Sequence, residues 1–177
     1  REKISGSVAV ERTALGTGIT VLSLLTYADP VKQLIWSCKF RNRRTLIPVI
    51  ASLVSDHFPQ ELRDAQIIIP VPIHPHRYTE RGFNQAEEFI RPCAKYLDIP
   101  LLTDVLARTT ETHALYTLGR SEREQVMSHT MTCERTEAVI AKNILLFDDI
   151  ITTGTTLREC GSVLLKCGAR SVRALTL

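Results

Sequence analysis

The thirteen residues from Ile144 to Thr156, I-L-L-F-D-D-I-I-T-T-G-T-T, restrict the fold of this chain more than any other stretch. Ile144 to Phe147 form an unbroken apolar run of strand length, the pattern of a strand buried on both faces. Two carboxylates, Asp148 and Asp149, close the run. Two more apolar residues, Ile150 and Ile151, lead into Thr152, Thr153, Gly154, Thr155 and Thr156, a loop of hydroxyls around one glycine. A helical stripe begins at once with Leu157, Cys160, Leu164 and Cys167. Lys166 falls in its last turn, where the helix dipole favours a cation, and Gly168 is placed to stop it. Val172 to Leu177 reads as the next strand. The unit is strand, acidic loop, helix, strand.

In open parallel sheets, ligands sit outside the carboxyl ends of the strands. A loop of small residues before a helix offers unpaired N–H groups and hydroxyls, and the dipole adds positive potential, so that end suits a phosphate. The carboxylates beside it are hydrogen-bond acceptors and suit sugar hydroxyls. A phosphate and a diol a few ångströms apart describe a ribose 5-phosphate. The plainer reading is an acidic turn with threonines as caps, but it leaves the whole pattern at a strand–helix junction to chance.

Residues 67 to 97 repeat the arrangement. Ile67 to Val71 reads as a buried strand ended by Pro70 and Pro72, which lack a ladder donor. The stretch His74 to Gly82 is expected as a loop, followed by a helix capped by Asn84 and Glu87 and kinked at Pro92. The loop carries Arg77 and Arg81 at a strand's carboxyl end, an anion site suited to pyrophosphate. His74 and His76 could suggest metal, but no carboxylate or cysteine stands at ligand spacing, so the case for zinc is weak.

Upstream, Ser7–Ala14 and Ile19–Thr26 flank a glycine-containing break and predict a β-hairpin. Asp29-Pro30 begins an amphipathic helix with Val31, Leu34, Ile35 and Cys38, and Thr45 is placed to cap a second helix from Leu46 to Phe58. Lys39, Arg41, Arg43 and Arg44, interleaved with Trp36 and Phe40, could hold single-stranded nucleic acid by phosphate contact and stacking, or form a solvated helix end with both aromatics in the core. The net charge of +3 makes no general case for nucleic acid. The 177 residues, 44% of them hydrophobic, suffice for one domain with a sizeable core. The five cysteines form no C-x-x-C pair and are expected as free thiols in a reducing compartment. No membrane span or signal-peptide core is read, so a cytoplasmic location is expected. Thr109 to Gln125 is polar, shows no firm helical pattern and reads plainly as a surface loop.

The Ile144–Thr156 stretch resembles the 5-phosphoribosyl-1-pyrophosphate (PRPP) motif of type I phosphoribosyltransferases. P-V-P-I-H-P-H-R-Y-T-E-R-G-F-N-Q-A, from Pro70 to Ala86, resembles the signature of the ComF family of competence-associated phosphoribosyltransferase-like proteins. Weaker similarity runs from Tyr27 to the C-terminus. The resemblance implies ribose binding by Asp148 and Asp149, and 5-phosphate binding by Ile151, Thr152, Thr153, Gly154, Thr155 and Thr156. It also implies pyrophosphate departure aided by Arg77 and Arg81, with Mg²⁺ carried by PRPP. Single-stranded DNA or a protein of the competence machinery are the implied macromolecular partners.

The expected fold is α/β, a type I phosphoribosyltransferase-like, mainly parallel twisted sheet flanked by helices, with a small N-terminal hairpin or hood. Its strands are expected near 67–71, 105–108, 127–133, 144–147 and 172–177, in one domain over 1–177, with the hairpin in 1–28 and the core in 29–177. Three departures from the family stand out. Members often begin with a cysteine-rich zinc-binding segment, which either lies ahead of Arg1 or is lacking in this member. The resemblance implies a lid that closes over the substrate at Thr109 to Gln125, and there His113-Ala114 and Gln125-Val126 stand near an expected Gln and Asn, while Arg123 matches. Thr152 occupies the place of the Asp that 6-oxopurine enzymes use at the purine ring, which argues against hypoxanthine–guanine salvage. Three classes remain open: an active transferase with an unknown acceptor, a DNA-handling factor, and a PRPP-binding protein without turnover.

Overall fold

The computed structural model describes residues 8–16, 18–26, 28–29, 31–40, 44–108 and 131–177. A hairpin of β1 (Val8–Ala14) and β2 (Thr20–Leu25) leads to helix α1 (Val31–Phe40), a 3₁₀ turn (Arg44–Leu46) and α2 (Ile47–Asp56). Strand β3 (Ile67–Pro70), helix α3 (Pro75–Arg81) and α4 (Gln85–Leu97) follow. Next come β4 (Leu106–Arg108), β5 (Met131–Cys133), the short α5 (Thr136–Val139), β6 (Asn143–Asp148), α6 (Thr155–Lys166) and β7 (Ser171–Thr176).

The main sheet has the order β1-β2-β7-β6-β3. β2, β7, β6 and β3 run parallel, and only β1 is antiparallel to its neighbour. The expected hairpin is present, and its second strand joins the sheet beside β7 instead of standing off as a flank. The hydroxyls of Ser23 and Thr176, 2.9 Å apart, bind across that seam. β4 and β5, expected in the main sheet, form a separate antiparallel pair. They pair through Leu106–Cys133, Ala107–Thr132 and Arg108–Met131, and residues 127–130 of the expected strand lie outside the described residues.

β6 lies inside the sheet between β7 and β3, and Ile144 to Phe147 are buried completely or nearly so. Alternation divides them between the two faces. Leu145 and Phe147 pack with Phe89, Ile90 and Cys93 of α4 and with residues of α1 and α2. Ile144 and Leu146 pack with Leu157, Cys160 and Leu164 of α6. That is why the sequence shows an unbroken apolar run at β6 and helical stripes on either side. α6 ends as expected: Gly168 takes φ 92°, and the N–H groups of Ala169 and Gly168 donate to Leu164 and Leu165 carbonyls.

Local departures have local causes. Thr45 does not cap α2: a 3₁₀ turn intervenes, and Pro48 in the first turn needs no partner for its nitrogen. α4 runs unbroken through Pro92, which lies on its exposed side, where water can satisfy the carbonyl left without a donor. Trp36 is 47% exposed and is not a core residue.

Candidate phosphoribosyl site

The ladder carries β6 to the sheet edge with Phe147 opposite Leu175 and Asp148 opposite Thr176. Asp148 accepts the Asp149 N–H on its carboxylate at 2.8 Å, and the Asp149 carbonyl accepts from Leu177 N–H at 3.3 Å. Ile150 then packs into the α4-side cluster and Ile151 into the α6-side cluster. The two isoleucines pin the chain over the sheet edge, so Ile151 serves the loop through its backbone. Gly154 is the N-cap of α6, with φ 70° and ψ 5°, the left-handed region that glycine enters without strain. Gly154 has no side chain to cap the helix, Thr155 N–H donates to Thr153 Oγ1 at a long 3.4 Å, and Arg158 N–H makes the first helical bond, to Gly154 O, at 2.9 Å. The Thr153 and Thr155 hydroxyls lie 2.9 Å apart. Asp148 and the stretch from Ile150 to Leu157 line a cavity of about 40 Å³, room for one small polar group. N–H groups of a first helical turn, hydroxyls and a dipole converge there. Cys160 lies beneath. Burial, then the charges of Asp148 and Glu159, raise its pKa far above the ordinary thiol value, so it is a protonated packing group.

The second limb stands beside the first. Val71 N–H donates to Phe147 O at 2.8 Å, which extends the β3–β6 ladder by one step. The residues leaving β3 therefore start next to Asp148. The stretch expected as a loop is helix α3. Pro75 sits in its first turn, His74 Nδ1 accepts the His76 N–H at 3.2 Å, and Gly82 stops it in the left-handed region. Arg77 and Arg81 are four residues apart and share one face of α3. Arg77 is exposed and Arg81 half-buried. His76 lies 3.5 Å from Glu80, an exposed i,i+4 pair. Asn84 closes the limb: its Nδ2 donates to Val71 O at 3.0 Å and its Oδ1 accepts from Ala86 N–H at 3.1 Å. Both predicted limbs thus reach the same carboxyl edge of the sheet.

The other predicted sites are not brought there by described residues. Arg41, Arg43 and the span 109–125 lie outside the described residues, and Lys39 and Arg44 are described in backbone alone. The sequence reading missed the contribution of the hairpin turn. Leu15 packs against Gly154, where an added Cβ would meet Leu15 Cδ2 at 2.4 Å. Arg158 Nε donates to Leu15 O at 3.0 Å. A Cβ on Gly161 would meet Ile19 Cδ1 at 2.2 Å. The available signal was Gly161 itself, a glycine inside a helix, which costs stability unless another element needs the space.

Residues 85–177 match the phosphoribosyl transferase domain family. Competence protein F of Haemophilus influenzae is 31% identical over 158 residues, 83% of this chain and 67% of that protein. The chain belongs to the ComF family. The ComFC protein of Streptococcus pneumoniae is also 31% identical to this ComF chain, over 163 residues, 92% of the chain and 69% of the relative. The DNA utilization protein YhgH of Escherichia coli is 25% identical over 162 residues, 89% of the chain and 70% of the relative. The ComF chain thus spans about two thirds of the relatives' length. Among solved structures, Bacillus subtilis glutamine PRPP amidotransferase complexed with ADP and GMP superposes with a TM-score of 0.50 at 19% identity. That match covers 76% of this chain and 25% of the other. It establishes the phosphoribosyltransferase fold. Among the described residues, no helix is long and apolar enough to cross a membrane.

Proposed function

We propose that this ComF chain binds PRPP at the Asp148–Thr156 loop and transfers its phosphoribosyl group to a nucleophile, releasing pyrophosphate. The observation that carries this reading is the β6–α6 junction: two carboxylates at a strand's end, then a left-handed glycine as the N-cap of a helix that begins among threonine hydroxyls. Asp148 and Asp149 would hold the ribose hydroxyls, and the backbone from Ile151 to Thr156 the 5-phosphate. In the transfer, the bond between C1 and the pyrophosphate oxygen breaks, the sugar gains oxocarbenium character, and a nucleophile bonds to C1. Arg77 and Arg81 would offset the charge that develops on the leaving group. Two carboxylates are too few for an all-protein Mg²⁺ cage, and their hard oxygens suit an ion that arrives on the diphosphate, where it would supply further charge neutralisation. Thr152 is exposed and brings no carboxylate to the acceptor. The test is pyrophosphate release from PRPP against a panel of amine, nucleobase and nucleotide acceptors. Release with one acceptor supports transfer; PRPP binding with no release from any acceptor leaves a PRPP-binding protein without turnover.

The relatives' names support a second reading, handling of single-stranded DNA during its uptake or use. The Lys39–Arg44 segment and the α3 arginines would supply the phosphate contacts, with a protein of the competence machinery as an added partner. Single-strand affinity that falls steeply with salt would support it, since each phosphate contact releases counterions. Absence of binding at low salt would remove it.

A further inference from the structure

The sheet, the two helical layers and the PRPP loop account for most of the chain, but not for the hairpin turn. This turn is closed on itself: Leu15 N–H donates to Ile19 O at 3.0 Å, and Ile19 N–H to Gly16 O at 3.1 Å. Gly16 and Gly18 take φ of 72° and 77°, which make the reversal possible. The turn therefore presents Leu15 and Ile19 from a fixed backbone. Both are buried in the α6-side cluster. They meet α6 at its two glycines, Leu15 at Gly154 and Ile19 at Gly161. Those residues lie seven apart, two helical turns, and so share one face of the helix. Between them, the Arg158 guanidinium reaches back to the Leu15 carbonyl. The three contacts seat the hairpin along the N-terminal half of α6, and the first of them falls on the loop's only glycine.

We propose that the hairpin turn is a positioning element of the phosphate loop, with Leu15 holding Gly154 in the left-handed conformation that points the first-turn N–H groups at the ligand. Leu15 touches no ligand in this account and acts through Gly154. The side chain fills the space in which Gly154 would otherwise relax, and Arg158 fixes the distance. The hairpin lies outside residues 85–177, the span that matches the domain family. A fragment cut to that span would therefore lose the support of Gly154. The ligand side of the proposal rests on the PRPP reading, whereas the effect on the loop does not.

The experiment uses the full chain with Leu15→Ala, Leu15→Met and Arg158→Gln, and two readouts. The first is amide hydrogen exchange in the absence of ligand. Leu15→Ala should speed exchange of the 158–161 amides, the first that bond within α6, beginning with Arg158 N–H to Gly154 O, by about tenfold or more while β6 and β7 keep their protection. The second is PRPP titration with Mg²⁺. Leu15→Ala should weaken binding by about tenfold or more, because small misplacements of positioned groups are costly. Leu15→Met, which restores the volume, should stay within about threefold of the parent. Arg158→Gln, a surface change that should fold even if Leu15→Ala does not, should loosen the same amides to a smaller extent. Parental exchange at 158–161 in folded Leu15→Ala overturns the proposal, as does parental exchange in Arg158→Gln when Leu15→Ala does not fold. If the parent chain does not bind PRPP, the PRPP reading fails and the exchange result alone decides the positioning role.

Discussion

Gly161→Ala tests the seating of the hairpin on α6 through stability. In an exposed helix interior this change gains about 1 kcal/mol, because alanine loses less backbone entropy than glycine. Here the new methyl would lie 2.2 Å from Ile19 Cδ1 and 3.0 Å from its Cγ1. Overpacking of this kind costs about 1–3 kcal/mol. The sum is a loss of roughly 0–2 kcal/mol instead of a gain. Ile19→Val removes Cδ1 and by itself costs about 0.5–1.5 kcal/mol. In that background the closest clash is gone, and Gly161→Ala should recover most of its helix gain. The two changes should therefore couple favourably by on the order of 1–2 kcal/mol. Urea denaturation of the four proteins, followed by circular dichroism at constant m-value, measures the cycle. A stabilising Gly161→Ala in the parent that adds to Ile19→Val within about 0.5 kcal/mol would refute the contact.

Asn84→Ala should cost about 2 kcal/mol, since it removes the cap of α4 and the donor to the Val71 carbonyl together; thermal melts check it. The thiol of Cys93 is pushed up from 9.0 to about 11, chiefly by burial and despite a hydrogen bond from Ser55. Its neutral form is therefore favoured in the folded chain. This contribution is whole below about pH 9, where the unfolded thiol is still protonated, and is lost as pH rises towards 11. The melting temperature should fall over that window, and Cys93→Ala should shrink the fall. Asp149→Ala should abolish PRPP affinity and leave the melting temperature near that of the parent, because Asp149 stands past the end of β6, outside the core.

The parts of the fold that follow from periodicity were legible. The run Ile144–Phe147 is buried on both faces because helices cover both faces, and a doubly covered strand has no polar positions. The end of α6 was legible because a cation and then a glycine mark it in the sequence. The His74–Gly82 stretch was misread because a seven-residue helix has too few turns to show an apolar stripe, and its residues are exposed or half-buried. Its start and stop, His74-Pro75 and Gly82, were nonetheless visible. β4 and β5 were placed in the wrong sheet, since an apolar stretch marks a strand but does not name its partner. The place of β2 beside β7 rests on long-range pairing that no local pattern encodes. Leu15 was invisible for the same reason: its role appears only once α6 supplies a glycine across from it.

The central claim is that the β6–α6 loop holds PRPP. It is tested most directly by calorimetric titration of PRPP with Mg²⁺ into the full chain, beside an Asp148→Asn/Asp149→Asn double variant with the same fold. The account predicts saturable binding, in roughly the micromolar range, to the parent and none to the variant. Equal affinity in both proteins, or no binding to the folded parent, would contradict it.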